Sequence, residues 1–164
     1  MVQFFSLKTF RTLLVLVLMT AAVDGALAQL DRRYQNGTFG FALNLSADLA
    51  DYRSVTSPEG ITLTSPDGLA VVNVFGEWNE AGEPLPAIVA QYKSELPGAD
   101  FTYEWHARDA VVLSGYQGGD IFYTRIALSP DHSRVAVLNM IYAPEVKRQL
   151  DPVVERLSTS LTIR

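Results

Sequence analysis

The sequence predicts an α+β domain, a single-domain sandwich with a mainly antiparallel sheet and helices packed on it. Three observations carry that expectation. Apolar and polar residues alternate over several short runs, the period of a strand with one covered face. Proline and glycine turns separate these runs by only a few residues, which favours antiparallel neighbours over crossover connections. Two other segments place apolar residues at helical spacing.

The first predicted strand covers residues 39–45, where Phe39, Phe41, Leu43 and Leu45 alternate with Gly40, Ala42 and Asn44. Asp48, Asp51, Tyr52 and Arg53 then read as a mixed-charge surface turn. Residues 61–64 and 69–75 flank Ser65-Pro66-Asp67-Gly68 as a hairpin. Ser57-Pro58-Glu59-Gly60 and Ser129-Pro130-Asp131-His132 repeat the same recipe, with proline where a type I turn wants φ near −65°. Leu85, Ile88, Val89, Tyr92 and Leu96 form one helical stripe, with Pro86 in the first turn and Pro97-Gly98 as the stop.

Residues 101–142 read as a four-stranded meander. In 101–106, Phe101, Tyr103 and Trp105 alternate with Thr102, Glu104 and His106, which predicts one buried and one wet face. Strands at 110–116 and 121–128 join through Gln117-Gly118-Gly119-Asp120, a tight hairpin signal. Ser114-Gly115 within the first of them marks a bulge or a close approach. In the strand read over 134–142, residues 135–142 are apolar on both faces, which predicts a central strand covered on both sides. Val146, Leu150, Val153, Val154 and Leu157 make the last helical stripe. Pro152 either interrupts that helix or starts it, with Asp151 as its N-cap. Leu161 and Ile163 are expected to tuck in behind it.

Composition bounds the function. Residues 1–28 read as an export signal: Lys8 and Arg11, an apolar run over 13–23, then Ala26-Leu27-Ala28 before Gln29. That apolar run is about eleven residues long, against roughly 20 needed to span a bilayer. A periplasmic or secreted protein is expected, with residues 29–164 as its one domain and no stable membrane anchor after cleavage. The chain contains no cysteine, which excludes disulfides, thiol nucleophiles and cysteine metal sites. Without Lys8, Arg11 and Asp24 its net charge is about −6, which argues against a nucleic-acid partner. No cofactor is expected.

Several phrases resemble the PsbP/DcrB-like exported α/β sandwich domains. Tyr34-Gln35-Asn36-Gly37-Thr38-Phe39-Gly40-Phe41-Ala42-Leu43 looks like their opening strand, although Ser46 and Leu49 stand where the family usually has proline and often an aromatic. Thr64-Ser65-Pro66-Asp67-Gly68 resembles their hairpin tip. Val112-Leu113-Ser114-Gly115 with Ile121-Phe122-Tyr123 resembles their central hairpin, and residues 150–161 their closing helix. The resemblance implies an exported accessory or binding module with no common catalytic apparatus to carry over.

Candidate chemistry is sparse. Trp78, Trp105, Tyr116 and Tyr123 are the candidates to line a ligand or partner groove, since large amphipathic aromatics are enriched at binding surfaces. Glu77, Glu80 and Glu83 form the densest acidic cluster and the candidate cation site, although they lack the glycine-pivoted spacing of a dedicated calcium loop. His106 and His132 stand in different segments, which disfavours a shared zinc site. His106, Asp109 and Ser114 can be imagined as a nucleophilic triad, but no Gly-x-Ser-x-Gly elbow surrounds the serine. The reading is an exported non-catalytic accessory or binding domain that holds an envelope protein or a small ligand. The alternatives are a periplasmic hydrolase using His106 or Glu77, Glu80 and Glu83, and a carrier with an apolar pocket between sheet and helices.

Overall fold

The computed structural model describes residues 32–164, which form one compact unit. The export signal read over residues 1–28 lies outside the described residues. Ten strands and two α-helices follow in the order β1 (Arg32–Asn36), β2 (Phe41–Leu45), β3 (Arg53–Thr56), β4 (Gly60–Thr64), β5 (Ala70–Trp78), α1 (Leu85–Ser94), β6 (Asp100–His106), β7 (Ala110–Gln117), β8 (Asp120–Leu128), β9 (Arg134–Tyr142), α2 (Lys147–Ser160) and β10 (Thr162–Ile163). A seven-stranded antiparallel sheet has the order β3-β4-β5-β9-β8-β7-β6, and a three-stranded sheet has the order β1-β2-β10. This is the expected α+β sandwich.

The expected meander is β6 to β9, and β9 lies inside the large sheet between β5 and β8. Its two apolar faces serve two cores. Ala136, Leu138, Met140 and Tyr142 pack with Phe41, Leu43 and Leu157, under the small sheet and α2. Val135 and Val137 pack with Leu85 and Val89, under α1. Burying both faces of a central strand explains its unbroken apolar run, because neither side meets water.

Two short strands depart from the expectation. Arg32–Asn36 forms β1 and pairs with β2, and Arg53–Thr56 forms β3 at a sheet edge where a surface turn was read. Both are polar or exposed along most of their length, so no apolar alternation announces them. Their pairing comes from the neighbouring strand instead. Helix α2 starts at Lys147 and carries Pro152 in its interior, so the reading with Asp151 as N-cap does not hold. The stripe Leu150, Val153, Val154 and Leu157 is buried, and this packing offsets the hydrogen bond that proline cannot donate. Leu161 is buried behind it, with Ile163 against the same core.

The turns follow the recipe in detail. Ser65 Oγ donates to Asp67, and Ser129 Oγ donates to Asp131, each at 2.6 Å. Each serine oxygen also accepts a backbone N–H further on, from Ala70 and Arg134. The fourth residue of the turn is left-handed in both, Gly68 at φ 75° and His132 at φ 61°. A β-carbon costs about 1–2 kcal/mol in that region, and glycine's extra unfolded-state freedom returns about half of it. His132→Gly is therefore expected to stabilise the domain by about 0.5–1 kcal/mol in a denaturant titration.

Gly118 (φ 61°) and Gly119 (φ 98°) close the β7–β8 hairpin with positive φ at both central positions, as a two-residue turn requires.

Candidate aromatic groove

Strand β6 decides the geometry of the site. It pairs with β7 as Phe101↔Gly115, then Tyr103↔Ser114 and Trp105↔Val112, so the register slips at Thr102. A β-bulge re-aims the side chains beyond it. Phe101 faces α1 and meets the Phe122 ring edge-on at 5.3 Å. Tyr103 and Trp105 turn to the opposite face, the α2 side. Glu104 keeps to the α1 side, where Lys93 of α1 reaches it.

The expectation of one buried aromatic face on this strand is therefore corrected. Tyr103 is 54% exposed and Trp105 43% exposed. The strand is a sheet edge, and α2 does not extend over it. Gly115 makes the bulge possible: a β-carbon there would lie 1.8 Å from the Asp100 carbonyl oxygen.

The gap between β6 and α2 is a groove of about 520 Å³. Its floor is Val112, Ser114 and Tyr116 of β7, Tyr123 and Arg125 of β8, and Tyr142 of β9. Tyr103 and Trp105 form one wall; Asp151, Val154, Glu155 and Ser158 form the other. Floor and helix are tied by hydroxyls. Tyr123 donates to Ser158 Oγ at 2.6 Å, and Tyr142 donates to Asp151 Oδ1 at 3.1 Å. Burial, then the Asp151 carboxylate, pushes the Tyr142 hydroxyl well above the ordinary phenol range, so it stays a donor. Asp151 is also paired with Lys147 one helical turn earlier.

Of the residues picked from sequence, Trp105, Tyr116 and Tyr123 meet in this groove. Trp78 does not. It sits at the end of β5 with its ring 5.3 Å from that of Phe39. It also lines a second groove, of about 370 Å³, between α1 and the sheet, which holds Glu77, Glu80 and Glu83 as well. Asn79 ties that loop together, accepting from Glu83 N and donating to the carbonyls of Glu83 and His132. Among the described residues, no group of three or more His, Asp or Glu side chains is arranged to hold a metal ion.

Glu77 has its carboxyl raised above the usual range by burial and by the nearby Glu95. A raised acid favours the folded state only while it is protonated. Its contribution is present below about pH 4.5 and is lost as pH rises through the folded value. Glu77→Gln is expected to raise the melting temperature at pH 7 but not at pH 4, a gain that solvent screening keeps within about 0.5 kcal/mol.

His106, Asp109 and Ser114 are not brought together. His106 pairs across from Val111 on the α1 side and binds Glu104, while Ser114 faces the α2 side and donates to the Phe122 carbonyl. Asp109 lines a neighbouring groove with Arg108, Arg125 and Leu161. Sequence reasoning passed over Tyr103, Tyr142 and Arg125. Their signals were present: Tyr103 shares the alternation of Trp105, and Arg125 interrupts the apolar run of a central strand.

No protein-family model and no curated protein matches the sequence. Solved structures do match, and they define the fold as PsbP-like. The solution structure of cyanobacterial PsbP (CyanoP) from Synechocystis sp. PCC 6803 superimposes with a TM-score of 0.61 at 11% identity, covering 83% of this chain and 94% of that one. LpqN of Mycobacterium tuberculosis, described as involved in cell envelope biogenesis, gives a TM-score of 0.50 at 16% identity over 81% of this chain and 90% of its own. At these identities the likeness is one of fold.

Proposed function

We propose that this chain is an exported binding domain of the cell envelope that works without catalysis, holding a partner protein or small ligand between β6 and α2. The observation that carries this reading is the exposure of Tyr103, Trp105 and Tyr116 together along one groove. Clustered exposed aromatics cost solubility and mark interaction sites. The groove volume, about 520 Å³, suits a ligand pocket, which are typically about 300–1,000 Å³. This volume favours a small ligand over a partner protein within that reading.

Export is supported by the signal pattern in residues 1–28 and by LpqN's association with envelope biogenesis. No helix among the described residues is long and apolar enough to cross a membrane. The hydrolase alternative finds less support, because His106 does not line the groove that holds Glu77, Glu80 and Glu83.

Purification from the native envelope followed by native mass spectrometry tests the proposal. A bound species that disappears in Trp105→Ala is expected. Turnover of ester, peptide, glycan or phosphate substrates that depends on His106 or Glu77 would overturn it.

A further inference from the structure

We infer that the groove receives small aromatic carboxylates, with Arg125 as the group that takes the acid; this rests on reading the groove as a binding site. Arg125 stands in the middle of β8, between the buried Thr124 and Ile126. Its Nε is buried without an acceptor, and among the described residues its guanidinium makes no hydrogen bond and no ion pair. The residue as a whole is half-buried, and a buried donor such as this Nε almost always has a partner. Arg156 and Arg134, by contrast, each have a carboxylate partner, Asp48 and Asp131.

Arg125 also lines the neighbouring groove with Arg108 and Asp109, and neither these nor the charges around the first groove pair with it. Lys147 and Asp151 neutralise one another. Glu155 is exposed on the rim and lies beyond ion-pairing distance of Arg125. The cation is felt at the floor, where it counters part of the upward push that burial gives the Tyr123 hydroxyl. A planar guanidinium presents paired N–H donors that match a carboxylate. Tyr103, Trp105 and Tyr116 supply flat faces for a ring to stack upon. The groove is bounded on both sides and its volume is that of a small-molecule pocket, which favours a free ligand over a polypeptide surface.

The test is calorimetric titration of the purified protein with 2-naphthoate and with 2-naphthamide, equal in shape and different in charge. The wild-type protein is expected to bind the naphthoate about tenfold to a hundredfold more tightly. Arg125→Met should erase that preference, weakening naphthoate far more than naphthamide, Arg125→Lys should restore part of it, and Trp105→Ala should weaken both probes alike. Ligand-free Arg125→Met should melt at or above the wild-type temperature, since an unpaired cation has been replaced by an apolar chain.

Equal affinity of wild-type protein for the two probes, or a preference that survives Arg125→Met, overturns the carboxylate assignment and leaves the groove reading standing. A large loss of stability in ligand-free Arg125→Met and Arg125→Lys alike makes the arginine structural and also overturns the assignment. Failure of both probes to bind at millimolar concentration, or binding indifferent to Trp105→Ala, overturns the groove reading as well.

Discussion

Gly115→Val is expected to detach the aromatic wall of the groove and to destabilise the domain. A β-carbon at residue 115 would sit 1.8 Å from the Asp100 carbonyl oxygen and 3.1 Å from the Phe101 α-carbon. The obstacle is backbone, which cannot rotate aside as a side chain can. Either β6 moves away from β7 or the bulge at Thr102 opens, and both remove the constraint that aims Tyr103 and Trp105 at α2. Overpacking of a well-fitted site costs about 1–3 kcal/mol, and a clash with main chain belongs at the upper end. Gly115→Ala should act in the same direction. Gly37→Ala is the control: nothing lies within 4 Å of its β-carbon position, and its effect should stay within about 0.5 kcal/mol. Guanidinium titrations of the three variants give the ranking. A Gly115→Val protein as stable as wild type, with Trp105 in an unchanged environment, would mean that the bulge does not depend on this glycine.

Leu157→Ala is expected to cost about 2–5 kcal/mol, the range for emptying a leucine site in a close-packed core. Leu157 is fully buried among Leu150, Val153 and Leu161 on the underside of α2. The next residue, Ser158, receives the Tyr123 hydroxyl that ties helix to sheet. Loss of Leu157 therefore slackens the second wall of the groove along with the core. The expected signature is a lowered melting temperature together with weaker binding of any groove ligand. A stability loss below about 1 kcal/mol would show that α2 is held by its polar contacts instead.

The fold was largely legible because the sheet is built from alternation and the helices from stripes. The two-sided apolar run of β9 could belong only to a strand covered on both faces. The Ser-Pro-Asp turns announced themselves because each side chain has one local hydrogen-bonding task. What escaped had no such signal. Strands β1 and β3 are exposed over most of their length and are recruited by their neighbours. The face presented by Tyr103 and Trp105 was misjudged because a single extra residue at Thr102 changes side, and residue spacing alone does not display a bulge. Ser114-Gly115 hinted at it without saying which strand would bend.

The site was legible in part. Trp105, Tyr116 and Tyr123 converge because neighbouring strands of a meander set alternate residues side by side. Trp78 was grouped with them by residue type, yet it stands at the far end of β5 with the acidic loop. Arg125 was passed over because charge in a strand is ordinarily surface, and only the sheet order makes β8 an interior strand.

The chain has two tryptophans, and they stand in different grooves. Their indole N–H resonances therefore report on the two sites separately in one spectrum. Adding 2-naphthoate to the labelled protein is predicted to shift the Trp105 indole signal while the Trp78 signal stays in place. Movement of Trp78 alone, or of neither, would contradict the assignment of the β6–α2 groove as the place where this protein binds.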